Sequence, residues 1–187
     1  MDFSSQIKTE RLILQRPYPV TFDLAHELFE TVKASREHIA EWLSWAKTMA
    51  SAEEEFTVLK NHYEKKWDEQ ESFAYLIRLS DTGELLGVID LININLKHHS
   101  AEIGFWLKKS ACGNGYMTEA VLGLEKEAFK QGFHRIVIGN DPENIKSVNV
   151  AKKAGYHFEG VLRQNRFDET RQEFRDSNVW SKLETEI

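Results

Sequence analysis

Glu102-Ile-Gly-Phe-Trp-Leu-Lys-Lys-Ser-Ala-Cys-Gly-Asn-Gly-Tyr-Met-Thr-Glu-Ala120 is the stretch of the 187-residue chain that decides its fold. It begins as a strand, Ala101–Leu107, passes through a loop of small residues, and enters a helix expected from about Tyr116 to Gln131. Glycines at 113 and 115 let a ligand approach the backbone, and the first helical N–H groups have no intrahelical acceptor. With the helix dipole they suit a phosphate or pyrophosphate. An ordinary strand-to-helix turn can carry the same two glycines, so the loop alone leaves both readings open. A P-loop needs a lysine directly after its last glycine, and here none follows. A dinucleotide fingerprint needs a third glycine-like position; Thr118 stands there, late in the chain.

Working outward, the pattern predicts strands at Arg11–Gln15, Phe73–Leu79, Leu85–Ile94, Arg135–Ile138, Tyr156–Phe167 and Glu173–Lys182, the last two flanking a hairpin at Asp168-Glu169-Thr170. Helical spacing joins Phe22, Leu24, Ala25, Leu28, Phe29 and Val32. Further helices are expected at Arg36–Ala46, at Ala52–Trp67 behind Ser51, and at Ser147–Ala154 ahead of Gly155. The expectation is one α/β (α+β) domain spanning residues 1–187, with helices on both faces of a mixed sheet of about seven strands.

Composition narrows the function classes. Hydrophobic residues make up 41% and charged residues 29%, which excludes a disordered chain. No apolar run approaches the roughly 18 residues that span a bilayer, and the start lacks a secretory pattern, so a cytoplasmic location is expected. A net charge of −6 argues against broad nucleic-acid binding. Cys112 is the single cysteine, so no internal disulfide is possible. His98-His99 with Glu102 lacks further ligands, and no metal is expected.

Trp106-Leu107 and Cys112-Gly113-Asn114-Gly115-Tyr116-Met117-Thr118-Glu119-Ala120 resemble motif A of the GNAT acyltransferases. Asn144-Ile-Lys-Ser147 through Gly155-Tyr156 to Glu159-Gly160 is similar to a later block of the same superfamily. Thr9-Glu10-Arg11-Leu12 with Arg16-Pro17 and Trp42-Leu-Ser-Trp45 resembles the RimJ/RimL branch, which acetylates ribosomal-protein N-termini. The resemblance implies that acetyl-CoA is a co-substrate held by Phe105, Trp106, Leu107, Cys112, Gly113, Asn114, Gly115, Tyr116, Met117, Asn144 and Ser147. Cys112 stands where the family carries Arg or Gln, and Met117 where Gly or Ala is common. A nucleophilic role for Cys112 is disfavoured, because no histidine neighbours it in sequence.

Acetyl transfer needs a neutral amine, a stabilised oxyanion and a proton for the leaving thiolate. A protein α-amine has a pKa of about 8, so it is already partly neutral near pH 7. The resemblance implies that Ser147 is the candidate on the acid side, three residues after Asn144 where the family places a group able to hydrogen-bond the sulfur. Ala151, where other branches carry a tyrosine, adds weight to it; a helix cap is its structural alternative. Glu102 is the candidate base, and a surface ion pair is its alternative. Trp42 and Trp45 are candidates for the acceptor mouth, with core packing of at least one ring as the alternative. The expected partners are acetyl-CoA and a protein N-terminus, with a small amine such as a polyamine or amino sugar, or non-catalytic acyl-CoA binding, as alternatives. A cluster of carboxylates in the cleft would favour a polyamine. Neither a nucleic acid nor a membrane is an expected partner, and a homo-oligomer is left open.

Overall fold

Alternation of apolar residues decides which way each strand faces. The computed structural model describes residues 1–169 and 171–187. One sheet of eight strands runs β1 (Gln6–Lys8), β2 (Leu12–Gln15), β3 (Phe73–Leu79), β4 (Leu85–Asn95), β5 (Ser100–Leu107), β6 (Arg135–Asn140), β8 (Glu173–Leu183), β7 (His157–Asp168) in that spatial order. Register sets Phe73, Leu91 and Ile103 abreast, and likewise Tyr75, Ile89 and Phe105. On this face pack Met117, Ala120, Val121, Leu124 and Ala128 of α6 (Tyr116–Lys130), with Val148 and Ala151 of α7 (Ile145–Lys153). The intervening row, Leu76, Val88 and Trp106, faces the other way. Ala25 and Leu28 of α1 (Phe22–Ala34) and Leu59 cover it. The two periods of the sequence, two and 3.6, thus meet in a three-layer arrangement.

Several expectations needed correction. The sheet has eight strands rather than about seven, because the three-residue strand β1 pairs with β2 ahead of the expected first strand. The helix expected over Arg36–Ala46 is broken into α2 (Arg36–Ala40) and α3 (Trp45–Thr48). Arg36 Nη1 donates to the carbonyl oxygens of Ala46 (2.8 Å) and Lys47 (3.2 Å), so the chain folds back on itself there. The helix opened by Ser51 starts as α4 (Ala52–Val58), widens into a π-helical turn at Leu59–Glu64, and resumes as α5 (Lys65–Asp68). Asn144, not Ser147, starts α7. Thr170 of the expected hairpin turn lies outside the described residues.

α4 also places a carboxylate inside. Glu55 is 2% exposed, and its Oε2 has no hydrogen-bond partner. Burial, reinforced by the charge of Glu54, pushes its carboxyl up to about 7. A carboxyl raised on folding favours the native state most below its unfolded pKa, and that contribution is lost as pH rises from about 4.5 through about 7. Glu55→Gln should therefore match the parent near pH 4.5 and exceed it at pH 8, by about 1–3 kcal/mol in urea unfolding. A variant less stable than the parent at pH 8 would show that the ionised carboxylate is accommodated.

Candidate active site

The site opens where the sheet comes apart. β5 and β6 are parallel neighbours, yet their pairing covers only Ser100↔Arg135, Ala101↔Ile136 and Glu102↔Val137. Beyond Glu102, β5 stays with β4 as far as Leu107, and β6 stays with β8 as far as Asn140. A bulge between Ile92 and Asn95 of β4, with Asn93 at φ +50°, lies level with the end of the parallel pairing. Bulges increase local twist and recur beside functional sites. The gap is a cavity of about 890 Å³ that reaches from α2 and β7 to α6 and α7.

One end of the cavity is the loop before α6. Gly113 (φ +88°) and Gly115 (φ +80°) both have left-handed backbone, which turns the loop so that Gly115 starts the helix. Arg11 braces the loop from the β1–β2 turn. Its Nη1 donates to the Asn114 carbonyl at 3.0 Å, its Nε to Glu119 Oε2 at 2.7 Å, and its guanidinium lies 4.7 Å from the Tyr116 ring centroid. Thr9 Oγ1 donates to Glu119 Oε1 at 2.6 Å. Cys112 Sγ lies 3.3 Å from His38 Nε2 of α2. A histidine does neighbour the thiol in space, although none does in sequence. Burial pushes the Cys112 thiol up and the His38 imidazole down, with Lys146 also lowering the latter. Both shifts oppose a thiolate–imidazolium pair, so the contact is between neutral groups.

Ser147 and Asn144 line the cavity from the start of α7. Asn144 Oδ1 accepts from the Ser147 backbone N–H at 3.1 Å, so Asn144 is the cap. The capping alternative for the Ser147 hydroxyl is thereby removed, and among the described residues that hydroxyl has no protein partner. Glu102 stands at the point where the strands part, its Oε2 accepting from Asn93 Nδ2 at 2.8 Å. The bulge that throws Asn93 out of register also aims its amide at this carboxylate.

The expected residues do not all meet. Phe105, Trp106, Leu107, Cys112, Gly113, Gly115, Tyr116 and Met117 line the cavity. The Asn114 side chain instead turns back onto the carbonyls of Ala111 (3.3 Å) and Cys112 (3.4 Å). Trp42 lines the cavity, with Arg171 5.5 Å from its ring centroid. Trp45 lies edge-on to Trp106 at 6.0 Å, and lines a smaller groove of about 310 Å³ shared with Trp42.

Charge in the cleft was not foreseen. Glu102 and Asp141 are its acidic lining residues, against His38, Lys146, Lys153 and Arg166. Asp141 takes bonds from Arg175 Nη2 and Nε and from Arg166 Nη2, each at 3.0 Å. Burial would raise its carboxyl, but these bonds and the Glu143 N–H hold it below the ordinary range. Arg166 joins Asp141 from β7, beside Arg175 of β8. Its place in this network follows from the β7–β8 pairing, which sequence spacing does not display. Among the described residues, no group of three or more His, Cys, Asp or Glu could hold a metal, and no helix is long and apolar enough to cross a membrane.

Comparison with known proteins follows this geometry. The family model described as "Acetyltransferase (GNAT) domain" matches residues 11–157. Probable N-acetyltransferase YjcK of Bacillus subtilis is 35% identical over 105 residues, a match covering 55% of this chain and 58% of that protein. The ribosomal-protein-serine acetyltransferase of Escherichia coli is 26% identical over 157 residues, 83% of this chain and 85% of that protein. A solved structure of the ribosomal L7/L12 alpha-N-protein acetyltransferase RimL with coenzyme A superposes with a TM-score of 0.85 at 22% identity, over 95% of this chain and 97% of that one.

The brace on the loop is directly testable. In Arg11→Met the loop loses both the bond to the Asn114 carbonyl and the ion pair to Glu119. Amide hydrogen exchange at Gly113–Met117 should then speed up about tenfold or more, while β3 and β4 exchange as before. Unchanged exchange in the loop would show that the glycine backbone alone holds it.

Proposed function

The chain belongs to the acetyltransferase (GNAT) family, and from that premise we propose that it carries an acetyl group from acetyl-CoA to a primary amine, the N-terminal α-amine of a protein such as a ribosomal protein. The residues present fit that donor. The loop and first turn of α6 offer backbone N–H groups to a pyrophosphate. The run of β5 beyond Glu102 has lost its parallel neighbour, so its backbone polar groups face the cleft and suit the amides of a pantetheine arm. Asn144 caps with Oδ1 and keeps its Nδ2 to donate.

When bound, acetyl-CoA supplies a thioester, an acyl group already activated toward an amine. This chain's residues supply the rest. Glu102 removes the proton from the incoming ammonium, leaving the electron pair on nitrogen. Backbone N–H groups at the open end of β5 polarise the acyl carbonyl. Ser147, whose hydroxyl has no protein partner among the described residues, hydrogen-bonds the sulfur as negative charge builds there. Both substrates meet in one cleft, and Cys112, held as a neutral thiol, takes no part as a nucleophile.

What carries the choice of acceptor is the charge of the cleft. A polyamine needs several free carboxylates, and of the two acidic lining residues Asp141 is already tied to Arg166 and Arg175. One free carboxylate among cationic and amide side chains suits a single terminal ammonium followed by a peptide. The names of the ribosomal-protein acetyltransferases to which the chain is similar support the same reading.

A turnover screen with acetyl-CoA against ribosomal-protein N-terminal peptides, spermidine and amino sugars tests this. The peptides should have a kcat/KM about tenfold or more above the small amines; a polyamine ahead of every peptide would replace the peptide reading. Ser147→Ala should lower kcat about ten- to a thousandfold with little change in KM for acetyl-CoA. Turnover within twofold of the parent would leave Ser147 without a part in the chemistry.

A further inference from the structure

Ala74, Asp90 and Gly104 lie abreast across β3, β4 and β5. Asp90 therefore has a methyl group on one side and no side chain on the other. Its carboxylate fills that vacancy: a Cβ on Gly104 would stand 2.5 Å from Asp90 Oδ1. The arrangement recurs one step along. Glu102 lies on the same face of β5, opposite Ile92, and a Cβ on Gly139 of β6 would stand 2.9 Å from its Oε1. Neither Gly104 nor Gly139 has a left-handed backbone, so conformation explains neither glycine. Each leaves room for a carboxylate at the place where β5 and β6 part. Alternation makes Asp90 and Glu102 diagonal neighbours on adjacent strands, about 7–8 Å apart between Cα atoms, and the charge of Glu102 acts on the Asp90 carboxyl.

We propose that Asp90 is a positioning residue of the transfer step: with Glu102 it forms a carboxylate pair that holds one proton, and it acts through Glu102 to draw the proton from the acceptor ammonium. This rests on the reading of Glu102 as base. The N–H bond of the ammonium breaks, its electron pair stays on nitrogen, and the proton passes to Glu102; nothing is oxidised or reduced.

The surroundings of Asp90 assign the resting proton. Burial, with the charge of Glu102, pushes its carboxyl up to about 7, against the backbone N–H groups of Asp90 and Gly104 and the charge of Lys66. Facing it are Glu102 from β5, Lys66 from α5, and Tyr63 from the π-helical turn, with Glu55 beside Tyr63. Burial pushes the Tyr63 hydroxyl far above its ordinary range, so it stays neutral. Below about pH 7 the proton sits on Asp90. Above it Asp90 is ionised, which places a second negative charge beside Glu102 and favours passage of the ammonium proton to the pair.

Asp90→Asn fixes the neutral state. With a saturating peptide acceptor, the ratio of parent kcat to variant kcat cancels the amine's own titration. The ratio should rise from about one at pH 6 to severalfold near pH 8, where Asp90 is ionised and about half of an amine of pKa about 8 still carries its proton. A ratio flat across that range, whatever its size, would reduce Asp90 to a structural residue. A second measurement needs no turnover. Carboxyl NMR of the unliganded protein should show Asp90 titrating near pH 7, and about one unit lower in Glu102→Gln. An Asp90 titration indifferent to Glu102→Gln would overturn the pair. If no amine is acetylated at all, the acceptor reading falls while the NMR result still decides the coupling.

Discussion

Two strands that begin as parallel partners and then each keep only an antiparallel neighbour set the terms for the rest of this molecule. After Glu102↔Val137, β5 continues with β4 and β6 with β8. The stretch of β5 beyond that point is a strand edge inside the protein, and buried backbone groups demand partners. A ligand carrying amides would meet that demand, which supports the proposal that the opening is the binding site. The loop before α6 follows directly from β5, so the same parting that frees the strand edge places a helix N-terminus beside it.

In the proposed mechanism the face of β5 turned away from α6 carries the acid–base chemistry. Glu102, Gly104 and Trp106 alternate along it, so the proposed base, a vacancy and an aromatic wall come from one strand. The cations around the cleft hold Asp141 in its charged form and leave Glu102 as the free carboxylate lining the cavity. Acid groups deeper inside behave oppositely: Glu55 and Asp90 are both pushed up to about 7, because burial outweighs the few donors around them. Guanidinium bonds on one side and burial with neighbouring negative charge on the other thus push these carboxyls in opposite directions.

Much of this was legible in the sequence, and the exceptions have physical causes. Strands β3, β4, β5 and β8 and helix α6 follow strong periodicity, and their bounds were read to within one residue; the apolar stripe of α1 was read from its spacing. The glycines at 113 and 115 announced the loop because only a left-handed backbone makes that turn easily. Strand β1 is three residues long, too short to show a period. The break between α2 and α3 depends on Arg36 reaching carbonyls ten and eleven residues on, a tertiary contact no window detects. Arg11 was noticed as part of a pattern, but its bracing of a loop 103 residues away appears only in the folded chain. His38 beside Cys112 and Asp90 beside Glu102 were invisible for the same reason: pairing across elements, not spacing along the chain, brings them together.

Donor and acceptor are proposed to meet in the opening between β5 and β6. In a crystal structure of the complex with coenzyme A, the pyrophosphate should lie on the backbone N–H groups of Gly113–Met117 and the pantetheine amides along β5 beyond Glu102. The sulfur should lie within reach of the Ser147 hydroxyl. Coenzyme A bound elsewhere on the surface, or strands β5 and β6 paired along their whole length, would contradict the proposal.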